Sequence, residues 1–222
     1  MTPSPERPTD RLRALVARDW AAATRHPFTD ALAAGTLPQA RMAGYLIQDY
    51  RFIDGFVRLL ASAVARAPSL ADAVPSAQFL GVITGPENTY FLRSFRALGV
   101  DDPARAPTLP VTRDFQDLMR DAAASGRYEL MLAVLIVAEW TYLDWATPHA
   151  DRAADLPFHL GEWIELHRGP AFAAVVEHLR GQLDSAWPGL DPAQRRTVED
   201  TFGRAVRLER AFFDAAQAGM PL

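Results

Sequence analysis

Apolar residues recur at helical spacing along almost the whole chain. From Pro38 onward, Met42, Tyr45, Leu46, Phe52, Ile53, Phe56 and Leu60 form one stripe, the three-to-four spacing of an amphipathic helix. This predicts a helix from Pro38, a proline suited to a first turn, to about Arg66. The same period predicts a helix over 9–25, with Leu12, Leu15, Val16 and Trp20 inward. His26-Pro27-Phe28 ends it, because proline lacks a donor and restricts the residue before it. A short helix or turn over 28–34 closes at Gly35, placed as a C-cap. A helix over 70–98, interrupted at Thr84-Gly85-Pro86, closes at Gly99, and the proline-rich stretch 101–110 reads as a loop. Helices over 112–125, 128–147, 157–167, 170–185 and 191–217 complete the pattern, the last opened by an Asp191-Pro192 cap. Strand-like alternation is nearly absent, and no repeat or linker divides the chain. The expectation is an all-α fold in a single domain over residues 11–222, with residues 1–10 as a flexible tail.

Four of these stripes are each broken by an acid. Asp49 sits amid its apolar helix, Glu87 between Ile83 and Tyr90/Phe91, Glu139 between Leu135 and Tyr142, and Glu209 between Ala205/Val206 and Phe212/Phe213. A buried charge costs several kcal/mol unless it is paired or hydrogen-bonded. Any single one could be structural, holding a backbone amide or an arginine. Four together point to an enclosed acidic site, since perturbed acids cluster where chemistry happens. Carboxyls held close together out of water have their pKa values pushed apart, giving one acid and one base near neutrality.

Composition narrows the partners. The 222 residues are 49% hydrophobic with a net charge of −4 and no cysteine. Disulfides, thiolate metal sites and a cysteine nucleophile are excluded. A mildly acidic chain without a basic patch is a poor nucleic-acid binder. No apolar run reaches the roughly eighteen residues of a membrane span, Leu130 to Ala138 being the longest. Residues 1–10 hold three prolines and no apolar run, unlike a signal peptide. A cytoplasmic protein is expected, with no nucleic-acid or membrane partner.

Carboxylates on four helices also raise a di-iron centre, which needs Glu-x-x-His pairs; none occurs here. His26, beside a proline, is a turn residue rather than a haem ligand, and no metal or cofactor is expected. Aromatic residues near the acids could sandwich a flat ring. Acids plus aromatics suit a planar ligand rich in donors at its edge, such as an aminopyrimidine.

His26-Pro27-Phe28, Gly35-Thr36-Leu37-Pro38 and Tyr45-Leu46-Ile47-Gln48-Asp49-Tyr50 resemble the opening signature of the TenA family, the thiaminase II or aminopyrimidine aminohydrolase proteins. The likeness continues through Glu139-Trp140-Thr141-Tyr142, Glu162-Trp163-Ile164 and Glu209-Arg210-Ala211-Phe212-Phe213. The resemblance implies a haem oxygenase-like helical bundle and a homodimer or homotetramer. It implies a role for Asp49 in holding the pyrimidine edge and for Glu209 as catalytic acid or base. Phe52, Phe115 and His167 fall where the family commonly has pocket tyrosines, and Tyr142 joins them as a substrate-binding residue. The family's nucleophile lies in a Pro-Cys-x-Trp-x-Tyr string; here the string is Val137-Ala138-Glu139-Trp140-Thr141-Tyr142. Ala138 cannot attack anything. The chain thus resembles the cysteine-less branch, with Glu139 or Glu87 as the stand-in.

The function this implies is hydrolysis of an aminopyrimidine or its N-formyl derivative in thiamin salvage, by carboxylate acid–base chemistry. The alternatives are a non-catalytic pyrimidine-binding protein and an oxidase-type member of the same fold.

Overall fold

A computed structural model describes residues 6–222. Eleven α-helices and three short irregular helical turns account for the regular structure of the described residues, and none of these residues is in a strand. The helices are α1 (Pro8–Leu15), α2 (Ala17–Thr24), α3 (Pro27–Ala33), α4 (Gln39–Arg66), α5 (Leu70–Val82), α6 (Asn88–Ala97), α7 (Pro110–Ala124), α8 (Tyr128–Ala146), α9 (Phe158–Leu166), α10 (Gly169–Ala186) and α11 (Pro192–Ala218). A π-helical turn, Ile83–Glu87, joins α5 to α6, and 3₁₀ turns follow α8 and α10.

At the centre stands α8, packed against α2, α4, α7, α10 and α11. Every residue from Leu130 to Tyr142 is buried, which explains why this helix shows no polar stripe. The segment Tyr128–Asp155 is long and apolar enough to cross a membrane, yet 83% of its apolar window is buried inside the protein. It is the core helix of a bundle.

Two departures from the sequence expectation stand at the N-terminus. Helix 9–25 is two helices, because Val16 leaves helical geometry at φ −118° and ψ 23°. The rotation at Val16 turns Leu15, expected inward, out to 58% exposure. Of the expected tail over residues 1–10, residues 1–5 lie outside the described residues, while Pro8 opens α1. Arg7 and Thr9 anchor this end to Asp184 of α10 at 2.6 and 2.9 Å.

The other local signals act as their chemistry dictates. His26 caps α3: its Nδ1 accepts from the Phe28 amide at 3.1 Å, and its Nε2 meets Asp214 of α11 at 3.1 Å. Gly35 closes α3 at φ 70°, a conformation that favours glycine. Asp191 and Gln194 form a reciprocal capping box at the start of α11. The proline-rich loop is fastened by buried Gln48, which donates to the Pro107 carbonyl and accepts from Leu109 N–H and the Thr112 hydroxyl at 2.8–3.0 Å. Helix α7 begins at Pro110, two residues before the expected start, since proline fits the first turn. Gly44 lets the C-terminal segment cross α4, where an added Cβ would lie 2.4 Å from the Met220 carbonyl oxygen.

Candidate functional site

Four elements converge on one interior face. Helix α4 supplies Asp49, the π-turn supplies Glu87, α8 supplies Glu139 and α11 supplies Glu209, all at most 8% exposed. Asp49, Phe52, Ile53, Phe56, Ile83, Glu87, Ala138, Glu139, Tyr142, Trp163 and His167 enclose a small cavity. The spacing explains the α4 share: Asp49, Phe52, Ile53 and Phe56 are i, i+3, i+4 and i+7 on one face. The π-turn Ile83–Glu87 falls where the sequence predicts an interruption, at Thr84-Gly85-Pro86. Pro86 lies inside it and has no N–H for the regular ladder, so the turn widens. Such single-turn π segments occur often at functional sites.

The sequence left open whether each acid has a structural partner. Among the described residues, none of the four carboxylates forms an ion pair or hydrogen bond, and one Glu209 oxygen is fully enclosed without a partner. No arginine or lysine lines the cavity. Each uncompensated buried charge would cost several kcal/mol, so the carboxyls hold their protons instead. Burial pushes Asp49 well above the usual carboxylate range, with the Glu87 charge adding to it. Burial alone raises Glu87 to about 8. Glu139 is raised by burial, then by repulsion from Glu87, Glu209 and Asp49; Glu209 is raised by burial, then by Asp49. The four therefore form one electrostatic unit. Among the described residues no three His, Cys, Asp or Glu side chains come together as metal ligands would.

The aromatic wall is ordered around them. Tyr142 and Tyr45 share a hydroxyl–hydroxyl bond of 2.7 Å. Tyr142 and His167 have ring centroids 4.7 Å apart, and Trp163 and His167 4.3 Å. His167 is 6% exposed, and burial lowers its pKa to about 4, so it is a neutral wall group.

Of the expected site residues, Asp49, Phe52, Glu87, Glu139, Tyr142 and His167 line the cavity. Two do not. Phe115 packs edge-on against Phe52 at 4.8 Å, so Phe52 takes the wall and Phe115 backs it. Glu209 lies outside the wall, although its charge is felt by the wall residues Glu139 and Tyr142. Ile53, Phe56, Ile83 and Trp163 are wall residues that the sequence offered only as core. Their signal was present in the case of α4, since Ile53 and Phe56 share Asp49's stripe.

The enclosed space is about 20 Å³, room for about one water. A ring can enter only if the wall yields; Ile83 and Glu87, on the irregular π-turn, and His167, just past the end of α9, are wall residues outside a regular α-helical ladder.

With this geometry in hand, the relatives are informative. The chain is 24% identical over 201 residues to an aminopyrimidine aminohydrolase of Halalkalibacterium halodurans, covering 89% of each chain. It is 23% identical over 205 residues to an aminopyrimidine aminohydrolase of Helicobacter pylori, covering 89% of this chain and 92% of that one. Among solved structures, the TenA homologue from P. horikoshii OT3 superposes with a TM-score of 0.83 at 24% identity, over 96% of this chain and all of that one. A TenA family transcription regulator from Silicibacter sp. TM1040 gives 0.84 at 23%, over 97% and 99%. These confirm the all-α bundle. The model of the TENA/THI-4/PQQC family matches residues 14–219, nearly the entire chain, and the protein belongs to that family.

Proposed function

We propose that this chain is a hydrolase of thiamin salvage that acts on an aminopyrimidine or its N-formyl derivative without a cysteine nucleophile. The observation that carries this reading is the set of unpaired carboxyls around a cavity that has no cation of its own. A protonated aminopyrimidine supplies the missing positive charge and an edge of N–H donors. Asp49 accepts from the exocyclic amine and the protonated ring nitrogen, while the apolar faces of Phe52, Phe56 and Trp163 cover the ring.

Beside Ala138 in the wall lies Glu139. With a cation bound, a neighbouring carboxyl ionises more readily, and Glu139 takes a proton from the attacking water. Glu87 holds its proton up to about pH 8, which suits an acid that donates to the departing group; Glu209 stands behind as a further proton store. Each such transfer is worth roughly 10²–10⁴-fold in rate. Activated water serves an amide or amine leaving group better than a thiazolium. The aminopyrimidine aminohydrolases among the relatives support the substrate class.

The reading of a pyrimidine-binding protein without turnover is favoured by one observation, the alanine at position 138 where the family string places its nucleophile. A steady-state comparison of thiamin with formyl-aminopyrimidine decides. The proposal expects turnover of the formyl compound and little or none of thiamin. A preference for thiamin refutes the cysteine-free chemistry, and tight binding with no turnover of either establishes the binding protein.

A further inference from the structure

His167 is the only basic side chain in the cavity wall. Its Nδ1 lies 2.8 Å from the carbonyl oxygen of Trp163, one helical turn earlier. A carbonyl can only accept, so Nδ1 carries the ring proton and donates it. The other nitrogen, Nε2, is then a bare lone pair, and among the described residues no group donates to it. The ring cannot turn freely: Trp163, Tyr142 and Phe172 pack on it at centroid distances of 4.3, 4.7 and 5.4 Å. With a pKa near 4 it stays neutral across the neutral range. The carboxyls of the same wall have no such fixed sense, because a protonated carboxyl donates as well as accepts. A tyrosine or serine hydroxyl at this position would also do both. Among the neutral side chains of the wall, His167 is the one that can only accept; the Trp163 indole N–H can only donate.

We infer that His167 is a specificity-determining residue of this cavity beside Asp49: its Nε2 accepts a hydrogen bond from an N–H of the ligand and rejects an analogue that places a carbonyl oxygen there. The inference rests on the proposed function and sharpens its substrate class to amino-substituted over oxo-substituted heteroaromatic rings. The physical basis is asymmetric. An amine fills the acceptor, whereas an oxo group sets two lone pairs against each other and leaves both unpaired in a water-poor space.

The test is calorimetric titration of the full chain with 4-aminopyrimidine and with pyrimidin-4-one. The wild-type chain should prefer the amine by roughly ten- to a hundredfold. His167→Phe keeps an aromatic ring against Trp163, Tyr142 and Phe172 but has no acceptor, so the preference should fall severalfold, leaving only the share that Asp49 supplies. A second measurement needs no variant. The nitrogen-15 resonance of Nε2 should sit at the unprotonated position in the free protein and move upfield with the amine but not with the oxo compound. An unchanged preference in His167→Phe, or an Nε2 resonance that a bound aminopyrimidine leaves in place, overturns the assignment. Equal binding of both rings by the wild type overturns it while leaving the proposed function intact. Binding of neither overturns the proposed function and this inference with it.

Discussion

Two of the acid-lined hollows in this molecule treat their acids in opposite ways. The larger, a cleft of about 780 Å³, opens between α1, α2 and the end of α8 and is lined by Asp10, Arg13, Trp20, Asp144 and Trp145 among others. Two of its acids, Asp144 and Asp10, are engaged. Asp144 accepts from the Trp20 indole N–H at 2.9 Å and faces Arg13 at 3.7 Å; Asp10 accepts from Arg180 at 2.5 Å. Arg13 also lies over Trp20 and Trp140, 5.4 and 5.0 Å from the ring centroids. The smaller cavity, about 20 Å³, has acids with no partner among the described residues. Size marks the first and unsatisfied charge marks the second. A folded chain tolerates a solvated ion pair at almost no net cost, whereas several unpaired buried carboxyls persist only where something else makes use of them.

That contrast can be broken by substitution. The largest effect is expected from Glu139→Gln, which should lower turnover of the formyl-aminopyrimidine by roughly 10²–10⁴-fold while ligand titration shows binding nearly intact, the pattern of an interaction used in the transition state. Asp49→Asn should act on the other side of that division. Asn keeps the size but loses the charge that accepts two bonds, so the dissociation constant should rise roughly ten- to a hundredfold. Equal losses of binding in both variants, without a separate loss of turnover, would favour the binding protein.

Glu87→Gln should reveal the cost of the unpaired acid as stability. In the unfolded chain this carboxyl ionises near 4.5, in the folded one near 8. Between those values the unfolded state gives up a proton that the folded state keeps, so stability falls as pH rises from about 4.5 to about 8 and levels off above. Gln removes that loss. Melting curves at pH 8 should show the variant about 1–3 kcal/mol more stable, about 2–4 °C for each kcal/mol in a chain of this size, with the gain vanishing toward pH 4.5. A gain of equal size at both pH values would contradict the assignment. Asp144→Asn in the open cleft should do least. It weakens a partly exposed pair with Arg13 while keeping an acceptor for Trp20, so melting should change by less than about 1 kcal/mol, and turnover should not change.

Much of this was legible in the chain because it is local. Helical period alone puts Asp49, Glu139 and Glu209 on apolar faces, and the cap chemistry of Gly35 and Asp191-Pro192 fixes helix ends within a residue or two. What depended on packing between distant elements was not. The break at Val16 leaves no proline or glycine in the sequence, and it alone decides that Leu15 faces solvent. Phe115 and Glu209 occupy the right faces of their helices, yet Phe52 stands in front of one and the wall closes ahead of the other. The acceptor character of His167 rests on a carbonyl four residues back, a contact whose meaning appears only once the ring is seen to be locked by Trp163, Tyr142 and Phe172. The π-turn at Glu87 was visible as an interruption at Thr84-Gly85-Pro86, but its geometry was not.

The central claim is that unpaired acids, rather than volume, mark where this protein works. The most direct measurement is a crystal structure of the chain soaked with a hydroxymethyl-aminopyrimidine. The account predicts density for the ring between Asp49 and Glu139, with the wall at Ile83 and Glu87 displaced outward to admit it. Density in the Arg13–Trp20 cleft with the small cavity still closed would contradict it.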